Sequence, residues 1–373
     1  MKNPLRKRLL RELRQEMGKY LVVFILMVAT IGFVSGFLVA DGSMLIAYDN
    51  SFEKYNIEDG NFATEEKVYK NQQETIEGYG VKLYENFYVE KALSNGSTLR
   101  IFKNRTKVDK VCLMKGKLPE KTGEIAIDRM YADNNKLSVG DSLQSGKRKW
   151  KITGLVALSD YSALFQNNND TMFDAIKFGV GIVTKEEFSS FNQSQLVYNY
   201  AWTYTHKPKT EAQEKKKSED FMEELSKDVT LEEFVPQYLN QAIHFTGDDM
   251  GGDRAMIIVL LYIVIAIMAF VFGITTSNTI RKEAGVIGTL RASGYTKNEL
   301  IRHYMFMPLL VTFIGAIVGN LLGYTVFKNV CADMYYGSYS LPTYVTLWNA
   351  EAFLLTTVIP VFIMFVVNYA ILH

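Results

Sequence analysis

The sequence predicts an α-helical membrane protein: four transmembrane helices, with a large α+β extracytoplasmic domain inserted between helices 1 and 2. Three observations carry that prediction. Residues 20–40, 254–277, 305–327 and 352–373 are strongly apolar, each near the ~20 residues a helix needs to cross a hydrocarbon core of about 30 Å. Residues 41–253 are polar and long enough to build a core of their own. Lysine and arginine gather in alternate connecting segments, the asymmetry that sets orientation in a membrane.

Residues 1–19 read as a cytoplasmic amphipathic helix. Leu5, Leu9, Leu10 and Leu13 recur at helical spacing among Arg6, Lys7, Arg11 and Arg14, a pattern suited to an anionic lipid surface. A plain basic flank of the first span is an equally good account. The first span is longer than the 7–15-residue core of a signal peptide, and no small-x-small cleavage site follows it. It therefore reads as an anchor.

The basic residues before the first span, and Arg281, Lys282, Arg291, Lys297 and Arg302 between the second and third, belong on the inner side. The loop 328–351 has one lysine and two acids. This predicts cytoplasmic N- and C-termini, residues 41–253 outside, an elbow at 278–304 inside and the last loop outside. Tyrosines between Tyr335 and Tyr344 read as an interfacial belt.

In residues 41–253, strand-like runs at 81–92, 98–102, 124–127 and 150–158 are separated by Gly, Asn and Pro turns. Further strands at 178–184 and 196–205, and a charged helix near 210–227, predict a second lobe around 160–245. Cys112 and Cys331 fall in different segments and read as two unpaired thiols, since a disulfide framework needs more pairs.

Within the spans, Gly315, Gly319 and Gly323 repeat every four residues, as do Gly32 and Gly36. Such spacing lets helix backbones approach closely in lipid, either inside one chain or between two. Asn320 lies among these glycines and should face a helix or a cavity.

No catalytic constellation is present. Gly140 is followed by five residues and then Gly146-Lys147-Arg148, whereas a phosphate loop needs four and a Ser or Thr after the lysine. His206, His244, His303 and His373 are scattered without metal-ligand spacing. The chain is expected to be no enzyme, to hold no metal and to bind no nucleic acid.

Two segments carry a family resemblance. One runs Lys115-Gly116-Lys117-Leu118-Pro119, then Gly123-Glu124-Ile125-Ala126-Ile127-Asp128, then Leu137-Ser138-Val139-Gly140-Asp141-Ser142-Leu143. The other is Arg281-Lys282-Glu283-Ala284-Gly285-Val286-Ile287-Gly288-Thr289-Leu290-Arg291-Ala292-Ser293-Gly294-Tyr295-Thr296. Together they resemble the FtsX/MacB-like, or type VII, ABC transporter permeases. The resemblance implies a bacterial plasma-membrane permease with a MacB-like outer core domain. It also implies an ATPase-coupling site at Arg281, Lys282, Glu283, Val286, Ile287, Leu290, Arg291 and Gly294. No cofactor is expected in this chain, because ATP and Mg would be bound by a separate cytosolic ABC ATPase.

Other implied partners are a second permease copy or half, membrane lipid, and an extracellular adaptor or hydrolase. The last span closes at His373 without a basic tail. Some relatives carry a second similar half, so a homodimer and an internal duplication both stay open. The implied work is export or extraction of a peptide, antibiotic or lipid-like compound. The alternative is FtsX-like signalling to a cell-wall hydrolase without transport.

Overall fold

The computed structural model describes Arg14 and residues 17–373. The leucines behind the amphipathic-helix reading of residues 1–19 lie outside the described residues. The chain divides into two compact units. One contains the residues up to Ser43 with Gly251–Asp333 and Thr346–His373; the other is Met44–Met250 with Met334–Val345.

The first unit takes its form from four helices long and apolar enough to cross a membrane: Met17–Lys54, Gln241–Lys282, Lys297–Ser338 and Ala350–Leu372. A helix meets every backbone hydrogen bond within itself, which a bilayer demands. We label Met17–Lys54 α1. The helix continues past the apolar stretch ending at residue 40, because nothing in 41–54 breaks it. The third apolar helix is regular over Lys297–Leu322, widens to a π-turn at Gly323–Phe327 and resumes over Lys328–Ser338. The fourth has a π-turn at Leu354–Val358 just before Pro360, a local widening that accommodates a residue with no N–H to donate.

The second unit contains two sheets. In chain order its strands are β1 (Gly60–Thr64), β2 (Val81–Glu85), β3 (Tyr88–Ala92), β4 (Thr98–Lys103), β5 (Cys112–Gly116) and β6 (Glu124–Asp128). They continue with β7 (Ser142–Ser145), β8 (Arg148–Ala157), β9 (Phe178–Val183), β10 (Tyr198–Tyr204) and β11 (Leu231–Pro236). The larger sheet runs β3-β4-β9-β6-β8-β5, with β7 paired to β8; the smaller runs β11-β1-β10-β2.

A lobe formed by 160–245 alone is therefore corrected. Strand β9 belongs to the larger sheet, while β1 and β2, far upstream, complete the smaller one with β10 and β11. The reason is antiparallel pairing at long range: Phe62 of β1 stands opposite Tyr200 on one side and Phe234 on the other. Phe62, Trp202, Trp150 and Tyr131 are fully buried in one continuous core. Gly123 and Gly140 turn at φ +81° and +105°, a region that side chains resist.

The tyrosines between 335 and 344 are also placed differently from an interfacial belt. Met334–Val345 clusters with the strand-bearing unit. The Arg129 guanidinium lies 4.9 Å from the Tyr336 ring centre, and its Nη2 donates to the Tyr339 carbonyl at 2.7 Å. These rings cover apolar surface on the outer domain, which is why Tyr335 and Tyr339 are buried. Cys112 and Cys331 are both free and buried.

Candidate functional site

The elbow is built by two helix breaks. The second apolar helix, α6 once the short helices α2 (Lys70–Glu77), α3 (Arg129–Asn134), α4 (Lys185–Ser189) and α5 (Glu211–Asp228) are counted, runs Gln241–Lys282 and stops at Glu283. Helix α7 (Ala284–Ala292) follows, and α8 (Lys297–Leu322) begins after a four-residue turn. That turn is a Schellman closure: the N–H of Tyr295 reaches the Leu290 carbonyl at 3.1 Å and that of Gly294 reaches Arg291 at 3.1 Å. Gly294 sits at φ +95°, which this closure requires.

The start of α8 is fixed by a capping box. Thr296 Oγ1 accepts from the Glu299 N–H, and the Glu299 carboxylate accepts from the Thr296 N–H at 2.8 Å. These bonds hold the Glu299 carboxyl below its ordinary range.

Helix α7 has no buried residue. Arg281, Lys282, Arg291 and Gly294 are exposed, as is Val286 at 44%, whereas Ile287 and Leu290 are half-buried. Ile287 and Arg291 help line a cleft of about 240 Å³ with Lys297, Leu300 and Tyr304. Glu283 accepts a 2.6 Å bond from the Tyr304 hydroxyl, so this acid braces the elbow internally. The structure thus places Val286, Ile287, Leu290 and Arg291 in one short helix, with Arg281 and Lys282 at the end of α6, Glu283 at the break and Gly294 in the turn that closes α7.

The glycines lie where α1 and α8 cross. A Cβ on Gly32 would stand 3.2 Å from the Gly319 carbonyl oxygen, and one on Gly36 would stand 2.7 Å from the Lys328 nitrogen. One on Gly319 would meet Ile31 at 2.8 Å, and one on Gly323 would meet Ser35 at 2.9 Å. Gly315 is different, with only an ordinary 3.5 Å contact to Met27.

A second cluster, in the outer unit, carries no sequence signal. The turn 158–165 receives three separate chain segments. Ser51 Oγ of α1 lies 2.6 Å from Ser159 Oγ. Ser162 Oγ donates toward the Ala242 carbonyl at 3.0 Å and lies 2.8 Å from Thr246 Oγ1, both at the start of α6. Tyr48 of α1 donates to the Ile243 carbonyl. The Ser340 N–H donates to the Ser162 carbonyl at 2.7 Å, and its hydroxyl donates to Asp128. Burial raises the Asp128 carboxyl to about 6.

Beside this turn, Arg105 grips Asp160 with both guanidinium nitrogens, at 2.5 and 3.0 Å. Glu58 and Asp109 lie close by, buried. Such residues, scattered from 48 to 340, share no spacing that would have revealed them.

Residues 258–373 match the family model described as FtsX-like permease C-terminal. No curated protein matches the chain. Among solved structures, the extracellular domain of the noncanonical ABC-type transporter YknZ from Gram-positive bacteria is 11% identical, at a TM-score of 0.28, over 47% of this chain and 98% of that one. The periplasmic region of MacB from Actinobacillus actinomycetemcomitans is also 11% identical, at a TM-score of 0.27, over 45% and 83%. At such scores these likenesses carry no argument, and the architecture of the outer domain rests on its own strands.

Proposed function

From the premise that residues 258–373 form an FtsX-like permease C-terminal domain, we propose that this chain is the permease subunit of an ABC transporter. It couples ATP hydrolysis by a separate cytosolic ATPase to movement of its extracytoplasmic domain. The observation that carries this reading is α7, a helix with no buried residue, held between two apolar helices inside the matched region. A helix with no fully buried residue in its own chain is suited to a partner's surface.

Movement of the elbow would pass along α6 and α1, whose outer ends both bond to the turn 158–165. None of the four apolar stretches contains Asp, Glu, Lys or Arg between residues 20–40, 255–276, 305–327 or 352–372. Ionisable groups within a membrane mark ion and substrate paths, so their absence from these stretches supports leverage on the outer domain as the mode of work. Export or extraction of a peptide, antibiotic or lipid-like compound at the outer leaflet fits this mode.

Co-purification with candidate ATPases, followed by ATP hydrolysis in lipid, tests the reading. Wild type is compared with Val286→Asp, an exposed position, and with the double variant Glu283→Lys/Leu290→Asp. Binding by wild type and its loss in both variants is the expected result. An ATPase that binds the variants as well as wild type, or none that binds wild type, overturns it. A wall hydrolase that binds the full chain and is activated by ATP without any substrate crossing would replace transport with signalling.

A further inference from the structure

Among the cavities lined by the described residues, one stands apart in size and chemistry. After α9 (Lys328–Ser338) and α10 (Ala350–Phe353), the last helix is α11 (Ile359–Leu372). Between α8 and α11 lies a groove of about 1,080 Å³, at the upper end of ordinary ligand pockets. Its α8 wall is formed by Asn298, Arg302, Met305, Leu309 and Phe313. These recur at intervals of three and four, so they form one stripe along the helix. Phe362 and Phe365 supply the facing wall from α11 and are largely exposed.

The groove carries charge at one end only; Thr357, farther along, is taken up by a 2.9 Å bond from the Asn320 amide. Asn298, Arg302 and the Tyr369 ring with its hydroxyl gather at the elbow end, and beyond them, Thr357 apart, the named lining is apolar. Arg302 is exposed. Its neighbour Glu299 is turned instead to the backbone and hydroxyl of Thr296, at 2.8 and 2.9 Å. That arrangement leaves a guanidinium at the mouth of an apolar trough.

Length decides what fits. Asn298 and Phe313 are fifteen residues apart, about 22 Å along a helix. One leaflet, headgroup included, is half of a bilayer of about 40–45 Å. We propose that this groove is a binding site for an anionic phospholipid of the leaflet on the elbow side, with its phosphate at Arg302 and Asn298 and an acyl chain along Met305, Leu309 and Phe313. A guanidinium pairs with phosphate through two parallel N–H donors, whereas the apolar helix of a second copy would bring Arg302 no anion. The inference needs only that α8 and α11 cross the bilayer; it does not depend on an ATPase partner.

The test uses the full chain in bilayers of phosphatidylcholine and phosphatidylglycerol, then native mass spectrometry after mild extraction. Wild type should retain phosphatidylglycerol in preference to phosphatidylcholine. Arg302→Ala should lose most of it, several-fold, while Arg302→Lys keeps part and Lys328→Ala, at the far end of the same apolar helix, keeps all. Monodisperse elution of each variant shows that it has folded. Equal retention of both lipids, or retention unchanged in Arg302→Ala, overturns the site. So does efficient disulfide pairing between two copies of a Phe362→Cys variant in the bilayer, which would make this face a subunit contact.

Discussion

The N–H of Glu58 donates to Asp109 Oδ1 at 2.9 Å, and both carboxyls are buried. Burying two neighbouring acids disfavours the charged form of each. Asn61 donates to Glu58 at 2.6 Å and Asn86 to Asp109 at 3.0 Å. Asp160 faces the pair as a further acid, and Arg105, already bonded to Asp160, is the cation. Asp109 itself sits at φ +47°, held there by its N–H bond to the Asn56 carbonyl at 3.0 Å. The pair therefore fastens the loop 104–110 to the end of α1.

Burial and the neighbouring acids push both carboxyls up, Asp109 to about 7 and Glu58 well above its usual range. The folded protein thus binds more protons than the unfolded chain between ordinary carboxylate values and about pH 7. Stability from this pair is complete below about pH 4 and declines as pH rises through 7. The urea midpoint of the outer domain, followed through the buried Trp150 and Trp202, should fall from pH 6 to pH 8. Glu58→Gln should flatten that fall, because it removes one of the two titrating carboxyls and keeps an oxygen for Asn61. An identical pH slope in the variant would remove Glu58 from the account.

Ser162 and Tyr48 support the joint unequally. Ser162 bonds to Ala242 and to Thr246, while Tyr48 bonds to the Ile243 carbonyl, which Ser162 also reaches at 3.2 Å, and adds only a long 3.4 Å contact to Ser162 Oγ. Tyr48→Phe should cost about 0.5–1.5 kcal/mol, the net value of an ordinary hydrogen bond. Ser162→Ala takes from the buried Thr246 hydroxyl its bond to Ser162, while the Ala242 carbonyl keeps the Ala163 N–H at 3.0 Å and the Ile243 carbonyl keeps Tyr48. It should cost more, roughly 1–3 kcal/mol. Thermal unfolding of the full chain ranks the two. The reverse order would mean that the tyrosine, and not the turn, holds the helix ends.

What the sequence made legible follows from how local each constraint is. A bilayer imposes a length and a composition on one continuous segment, so all four apolar helices could be read directly. The Gly294 closure and the Thr296–Glu299 capping box are equally local, spanning six and four residues. Sheet pairing is not. Strand β1 pairs with β10, Ala63 opposite Asn199, and no feature of 60–64 names a partner so far along the chain. The joint was hidden for the same reason, since Ser340, Ser162 and Asp128 meet only after the fold is complete. The tyrosines near 335–344 misled because an aromatic cluster looks alike at a lipid interface and against a protein surface.

The glycines of the spans separate into two kinds. At Gly36 an added methyl would press on the backbone of Phe327 and Lys328, within 2.8 Å, and backbone cannot swing aside. Gly36→Ala should therefore destabilise the α1–α8 crossing by about 1–3 kcal/mol, the usual cost of overpacking. Gly315→Ala meets only Met27 at 3.5 Å and should be close to neutral. Detergent-solubilised melting temperatures of the two variants check this. Equal losses would show that spacing alone, rather than close approach, governs this packing.

Asn320 gives the sharpest test of how the membrane helices are held together. Its oxygen accepts from Ser35 Oγ of α1 at 2.8 Å and from Thr356 Oγ1 at 3.0 Å. Its nitrogen donates to Thr357 Oγ1 at 2.9 Å and to the Ala316 carbonyl at 2.9 Å. An amide can make four such bonds, and here all four are made. Polar contacts between helices in lipid average about 0.6 kcal/mol each, so Asn320→Leu, which removes the links to both α1 and the π-turn at Leu354–Val358, should cost on the order of 1–2 kcal/mol. Asn320→Asp should cost more, because an ionised carboxylate would lose the donor bonds to Thr357 and Ala316 and gain a charge within the bilayer. Comparing their melting temperatures in the same detergent separates a hydrogen-bonded clasp, with leucine above aspartate and both below wild type, from simple shape filling, in which leucine would match or exceed wild type.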